Sequence, residues 1–196
     1  MRYYRKFLKE MEKCSTNAAM VQYCKDAGLP LLGEGSSRIV FGLTDKLVIK
    51  IARNAAGMEQ NRVEAEVWNF LDYDKAGYKK YFAKVHVSLQ PTNDMFLIMD
   101  RAEKSRKGHH KVSTDVFSTK YRSTHKANRR NVLFTEALEF LDLTLDTRLV
   151  ADMREQQLGT INGKIKLVDF GLNRYIWNTH YAKNNKPSKA FKIIAN

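Results

Sequence analysis

Lys50 restricts the folding of this chain more than any other residue. It stands inside Leu47-Val48-Ile49-Lys50-Ile51-Ala52, where every neighbour is apolar. A buried ammonium without a partner is costly, so such a lysine has two options. It lies on a sheet edge and points to solvent, or it turns inward onto a carboxylate. The flanking segments are strand-like too: Leu31-Leu32 and residues 38–43 precede it, with glycines at the first turn and Thr44-Asp45 at the second.

The period then changes to that of a helix over 58–71, where Val63, Val67, Phe70 and Leu71 are apolar. Two further strands are expected at 82–89 and 95–99, joined by Pro91-Thr92-Asn93-Asp94. Two short helices open the chain. Residues 3–13 place Tyr4, Phe7, Leu8 and Met11 on one face, and Ser15 or Thr16 caps a second helix ending near Gly28. Residues 103–130 are polar, basic and aperiodic, which reads as a loop. Helical spacing resumes over 131–145 through Leu133, Ala137, Leu141 and Leu145, and Asn162-Gly163 is a strong hairpin signal before a strand at 164–168. The order implies an α+β fold, sheet-rich in its first half and thinner in its second.

Chemistry concentrates at three points. Gly33-Glu34-Gly35-Ser36-Ser37-Arg38-Ile39-Val40 bends tightly between two strands, and glycines there let main-chain N–H groups approach phosphate oxygens. A purely structural hairpin uses the same residues. For Lys50, Glu64 on the following helix can supply the carboxylate, with Glu66 as second choice. Leu167-Val168-Asp169-Phe170-Gly171 places an acid where an apolar strand ends, which suits a magnesium ligand at a cleft edge.

Taken in this order, these residues resemble the protein-kinase family. Its loop G-x-G-x-x-G-x-V is similar to residues 33–40, with Arg38 where the third glycine belongs, and its V-A-I-K strand is similar to residues 47–50. Glu64, followed by Trp68 and Leu71, resembles the family's helix-borne glutamate. The resemblance implies a two-lobed fold with a sheet-rich N-lobe and a truncated C-lobe, binding ATP and Mg2+. Gly33, Gly35, Val40, Lys50 and Glu64 would serve the nucleotide, with Met99 as gatekeeper and main-chain groups of Asp100 and Ala102 holding adenine. Asp169 would hold magnesium.

The family's H-R-D-x-x-x-x-N pattern has its best register in Val150-Ala151-Asp152-Met153-Arg154-Glu155-Gln156-Gln157. Asp152 retains the catalytic aspartate, Arg154 falls where a phosphate-contacting lysine is frequent, and Gln157 replaces the magnesium-binding asparagine. The preceding His and Arg are replaced by Val150 and Ala151, and nothing after Gly171 reads as A-P-E or as long helices. Reduced kinases encoded by some bacteriophages are similar in this respect. The implied organisation is a helical segment at 1–28, an N-lobe at 29–102, a basic loop at 103–130 and a reduced C-lobe with a basic tail at 131–196. Two functions follow from the resemblance: a small serine/threonine protein kinase, or a catalytically impaired pseudokinase that binds a host protein or nucleic acid.

The net charge of +13 bears on partners. Residues 101–130 carry +8 and residues 174–196 carry +5, while the remainder is neutral. Such segregation points to basic docking segments for an acidic protein or a nucleic acid. Tyr175, Trp177 and Tyr181 beside Arg174 and Lys183 could stack on bases, although packing against the second lobe is favoured. His109 and His110 read as solvated, and His86 as a packed or edge histidine. No apolar run approaches the roughly 18–20 residues of a membrane span, and no signal core follows the basic N-terminus, so a cytoplasmic protein is expected, in the host cytoplasm if it is phage-encoded. Cys14 and Cys24 are expected as reduced thiols.

Overall fold

The computed structural model describes residues 2–73, 77–89, 91, 93–104, 108–120 and 129–182. Two helices, α1 (Arg2–Glu12) and α2 (Asn17–Asp26), precede three strands, β1 (Leu31–Glu34), β2 (Arg38–Gly42) and β3 (Leu47–Ala52). Thr16 caps α2 by accepting from the Ala19 N–H. A long helix, α3 (Ala55–Tyr73), leads through an irregular segment to β4 (Phe96–Asp100). The second half is mainly helical: α4 (His109–Lys120), α5 (Arg129–Thr144) and the single turn α6 (Leu149–Asp152). It ends in the hairpin of β5 (Leu158–Ile161) and β6 (Lys164–Leu167), followed by the turn α7 (Arg174–Ile176) and a π-helical turn at Trp177–Tyr181. Asn162 and Gly163 occupy the hairpin corner with positive φ angles of 50° and 70°.

The four-stranded sheet is antiparallel in the order β1-β2-β3-β4, so β3 is central. That placement rules out the edge-strand option for Lys50. Val40, Lys50 and Leu97 are register partners across β2, β3 and β4. Side chains alternate between faces along a strand. Ile49 and Ile51 therefore enter one core with Phe7, Met11 and Met20 from the N-terminal helices. Val48 enters the other, with Val67 and Leu71 of α3 and with Leu138 and Phe170 of the second half. Lys50 shares this second face. Both sheet faces are thus covered, which explains why β3 reads as a continuous apolar run interrupted by a single charge.

Two expectations change. The segment 82–89 is not a continuous strand. Phe82 bridges Leu167 while Val85 bridges Met99, and a 3-10 turn follows at Val87–Leu89. Its pairing is divided between the two sheets, so no single ladder can propagate. The stretch read as an aperiodic loop contains α4, because Val112 and Val116, four residues apart, drop into the core with Phe134 and Leu138. Packing here supplies what the sequence periodicity does not. Among the described residues, no helix is long and apolar enough to cross a membrane.

Asn17, buried at the start of α2, donates from Nδ2 to the Ala52 carbonyl at the end of β3. This bond ties the N-terminal helices to the strand that carries Lys50. Asn17→Ala leaves that carbonyl without its side-chain donor and is expected to cost about 1–3 kcal/mol. Urea unfolding of the two proteins measures it, and equal midpoints would show that the bond carries no stability.

Candidate active site

The glycine turn between β1 and β2 overhangs a cleft of about 1180 Å³. The turn closes an antiparallel hairpin, yet Gly33 and Gly35 are not among the positive-φ residues, so its backbone conformation does not call for glycine at either position. A Cβ on Gly33 would meet nothing within 4 Å, and one on Gly35 would approach only the Arg38 carbonyl, at 3.7 Å. The fold itself does not demand these glycines; they leave open space at the cleft mouth. The turn's carbonyls are held from behind. Arg53 Nη1 donates to the Gly35 carbonyl at 2.8 Å, Asn54 Nδ2 to that of Ser36 at 3.0 Å, and the Arg53 N–H to that of Ser37 at 2.8 Å. The N–H groups of Ser36 and Ser37 donate to no described residue. Free N–H groups with anchored carbonyls make a turn suited to anions.

Beneath the turn lies a tetrad of charges, three of them buried (Arg38, Lys50 and Glu64) and the fourth, Asp169, half exposed to the cleft. Lys50 Nζ donates to Glu64 Oε2 at 2.8 Å, to Oε1 at 3.0 Å and to the Val168 carbonyl at 2.6 Å. Glu64 is fully buried and also accepts from the Phe170 N–H at 3.1 Å. Glu66, the second choice, instead faces Arg62 on the exposed side of α3. Arg38 was not expected here. Its Nη2 lies 3.1 Å from Glu64 Oε1 and 2.5 Å from Asp169 Oδ1. The signal was available: Arg38 lies two positions before Val40, the register partner of Lys50, so the two cations share a sheet face.

Each charge feels the others. Burial pulls the Lys50 ammonium below its ordinary value and Arg38 adds to the pull, against Glu64 and Asp169. Burial alone would raise the Asp169 carboxyl, but Arg38 and Lys50 more than reverse this and hold it below the usual carboxylate range.

Two glycines permit this assembly. A Cβ on Gly57 would collide with the Ser37 carbonyl, and one on Gly171 with the Gln60 backbone. The start of α3 can therefore press against both the glycine turn and the turn after Asp169. Gln60 joins the same region: its Oε1 accepts from Ser37 Oγ at 2.9 Å and its Nε2 donates to Tyr181 Oη at 3.0 Å.

The cleft wall includes Gly33, Gly35, Val40, Lys50, Met99, Asp100, Ala102, Arg154 and Asp169, with Glu64 behind Lys50. The structure thus brings together most of the residues singled out by sequence. The Ala102 N–H makes no hydrogen bond to a described residue, and Val40, Val48, Met99 and Leu158 form apolar walls near it. Asp152 and Gln157 stand beside the wall, which is formed by Met153–Gln156. Gln157 Nε2 donates to Asp152 Oδ2, and Gln157 Oε1 accepts from the Arg154 N–H at 2.7 Å. Its amide is therefore committed to positioning Asp152. Asp142 fixes the other end of this segment, accepting from the N–H groups of Leu149 and Val150 at 2.7 and 3.0 Å. Burial raises the Asp152 carboxyl, and the charge of Asp169 raises it further.

A nucleotide fits this cleft by its open glycine turn, unpaired main-chain donors and apolar walls. Magnesium fits Asp169, whose side chain is about half exposed at 52%. Among the described residues no three His, Cys, Asp or Glu side chains cluster. Magnesium does not require such a cage, since one or two carboxylates plus phosphates hold it.

His86 is an edge histidine, with Nε2 2.8 Å from Asp100 Oδ1. His109 is buried, not solvated, with Nε2 3.3 Å from Thr160 Oγ1 on β5, because α4 packs against α5, α6 and the turn at Glu155–Gln157; His110 is exposed beside Glu155. Trp177 packs under Arg148, whose guanidinium lies 4.6 Å from its ring centroid, while Tyr175 is exposed. Of the basic segments, Arg101 and Lys104 bond to the carbonyls of Thr44 and Leu32. Much of the rest, at 105–107, 121–128 and 183–196, lies outside the described residues.

No protein-family model matches this sequence, and no curated protein matches it. Among solved structures the chain is similar to a ternary complex of streptomycin, ATP and APH(2")-IIa, at 15% identity and a TM-score of 0.41. The match covers 73% of this chain and 65% of that one, so this chain spans just under two thirds of the length of the protein it matches.

The two aspartates respond oppositely to acid. Asp152 has a raised folded-state pKa, so its charge destabilises the fold at neutral pH and stops doing so below the unfolded value of about 3.9. Asp169 has a depressed one, so its charge stabilises the fold above about 3.9, and that stability is lost as pH falls through the folded value. Asp152→Asn is therefore expected to be at least as stable as wild type at pH 7, and Asp169→Asn less stable. Both differences should shrink towards pH 3.5, a window just below the unfolded value of about 3.9. Denaturant titrations across that range test the pair, and a stabilised Asp169→Asn would contradict the charge tetrad.

Proposed function

We propose that this chain is an ATP- and magnesium-dependent phosphotransferase that acts on hydroxyl groups, with serine or threonine side chains of a protein as the acceptors. The observation that carries the reading is the Lys50–Glu64 pair, formed directly beneath an open glycine turn and beside a depressed Asp169 carboxylate. A phosphotransferase must gather phosphate oxygens and offset the charge that develops on them, and a lysine held rigidly by a buried carboxylate does both. Lys50 would contact the phosphates, and the Ser36 and Ser37 N–H groups would cradle them. The Ala102 N–H and the Asp100 carbonyl would orient the adenine.

Asp169 would hold magnesium, whose positive charge would offset that of the phosphates. Asp152, kept in place by Gln157 and raised in pKa, would orient the acceptor hydroxyl and take its proton. Arg154, on the cleft wall near Asp152, would face the transferring group. The cleft continues past the adenine region to a polar wall of Ser113 and Thr114 on α4 with Glu155 and Gln156, which leaves room for a polar acceptor segment.

Lys50→Met is expected to reduce phosphoryl transfer by about 10²–10³-fold, the usual loss on removing one preorganised charge partner. It should fold, because Arg38 and the Phe170 N–H still engage Glu64. The assay incubates wild type, Lys50→Met and Asp152→Asn with γ-labelled ATP and magnesium. Mixed protein acceptors are offered in one arm and small hydroxyl compounds in another. Label on protein from wild type alone supports the proposal; label only on small acceptors moves the substrate class. Calorimetry showing no nucleotide binding by wild type with or without magnesium would sink the phosphotransferase reading.

A further inference from the structure

Arg38 is not used by the mechanism above, yet it occupies the floor of the same cleft. Its side chain is only 7% exposed, and its guanidinium bridges the two carboxylates of the tetrad, Glu64 and Asp169. Nη1 is oriented by Asn61 Oδ1 at 3.4 Å, and Asn61 is itself anchored by donating to the Asp94 carbonyl at 2.9 Å. The arginine is thus built in, with its fork aimed at the metal-ligand candidate. With Lys50 it makes two fixed cations against two carboxylates, so the site is charge-balanced by protein groups.

The second ligand position that sequence reasoning assigned to Gln157 is otherwise engaged. The Gln157 oxygen takes the Arg154 N–H, and its NH2 faces Asp152. The amide orientation is fixed by chemistry, since a carboxylate cannot donate and a main-chain N–H cannot accept. What remains at the cleft floor is one half-exposed carboxylate and a planar guanidinium, the side chain best matched to phosphate oxygens.

We propose that Arg38 supplies positive charge that a second divalent cation would otherwise have to bring: nucleotide phosphates are gathered by Lys50 and Arg38, a single metal ion is held on Asp169, and nucleotide binds without metal. This rests on the phosphotransferase reading, and it concerns how that site is charged. Nη2 of Arg38 faces both carboxylates and Nη1 one amide oxygen at 3.4 Å, so a guanidinium with five N–H groups keeps donors for phosphate oxygens while those contacts stay in place.

The test uses the full chain. Calorimetry with ATP is run in EDTA and in saturating magnesium, and bound Mn2+ is counted by electron paramagnetic resonance at saturating ATP. Wild type is expected to bind ATP in EDTA within about tenfold of its magnesium affinity, and to hold one Mn2+. Arg38→Gly should weaken metal-free binding by about 10–100-fold, the range of a lost charge-assisted contact, with Arg38→Lys falling between. Circular dichroism melts establish that each variant folds; if Arg38→Gly does not, the wild-type EDTA affinity and the Mn2+ count still decide. Binding by wild type only with metal, or two Mn2+ per chain, would overturn the proposal while leaving the phosphotransferase reading intact. Equal or tighter metal-free binding by Arg38→Gly would also overturn it and make Arg38 a plug on Asp169. No nucleotide binding in either condition would remove both.

Discussion

The carboxylate of Glu64 has no contact with solvent, and an uncompensated ion in such a place would cost several kcal/mol. Everything near it is arranged as compensation. Lys50 reaches it from the centre of the sheet, Arg38 from the adjacent strand, and the Phe170 N–H from the turn after β6. Three segments distant in sequence are therefore held by one group on α3. Removing one of them leaves the other two on Glu64, so the charge stays partly compensated while the lost contact weakens the assembly. A cleft whose walls depend on a single carboxylate keeps its geometry in the absence of ligand, and that is what preorganisation requires.

Helix α3 is consequently the element on which the two halves meet. Its first turn presses against the glycine turn because Gly57 has no side chain, and its second meets Gly171 for the same reason. Gln60 extends the link from Ser37 in the glycine turn to Tyr181 at the end of the described chain, and Glu59 lies 3.2 Å from His180 beside it. A shift of the segment after β6 would thus be felt at the glycine turn through one side chain. The connection is a packed, hydrogen-bonded path, not a property of distance.

How much of this was legible follows from what is local. The sheet, α3 and the β5–β6 hairpin could be read because alternation, helical spacing and Asn162-Gly163 are short-range signals. The pairing of Lys50 with Glu64 was readable because a charge in a central strand has few permitted partners. Helix α4 was not, since Val112 and Val116 alone make too narrow an apolar stripe, and its stability comes from Phe134 and Leu138 of another helix. The orientation of the Gln157 amide was not legible for a related reason. An amide has a donor and an acceptor end, and only the neighbouring Asp152 carboxylate and Arg154 N–H decide which way they face. Arg38 looked like a missing glycine, yet its alternation with Val40 placed it on the face of Lys50.

The cleft separates its two aspartates by environment. Asp169 sits against two cations and stays ionised to low pH; Asp152 sits in a desolvated corner with only an amide and more distant arginines, and Asp169 opposes its ionisation. Like charges in one field push each other's pKa values apart, and the better-compensated group keeps its charge. An anion whose charge is held by two neighbouring cations is suited to holding a further cation and poorly suited to moving a proton. A weaker acid next to it is the better proton acceptor, because its affinity for the proton lies closer to working pH. The division of labour proposed for Asp169 and Asp152 therefore depends on Arg38 as much as on either carboxylate. Without that guanidinium, Asp169 would lose its largest source of compensation, and the difference between the two acids would narrow.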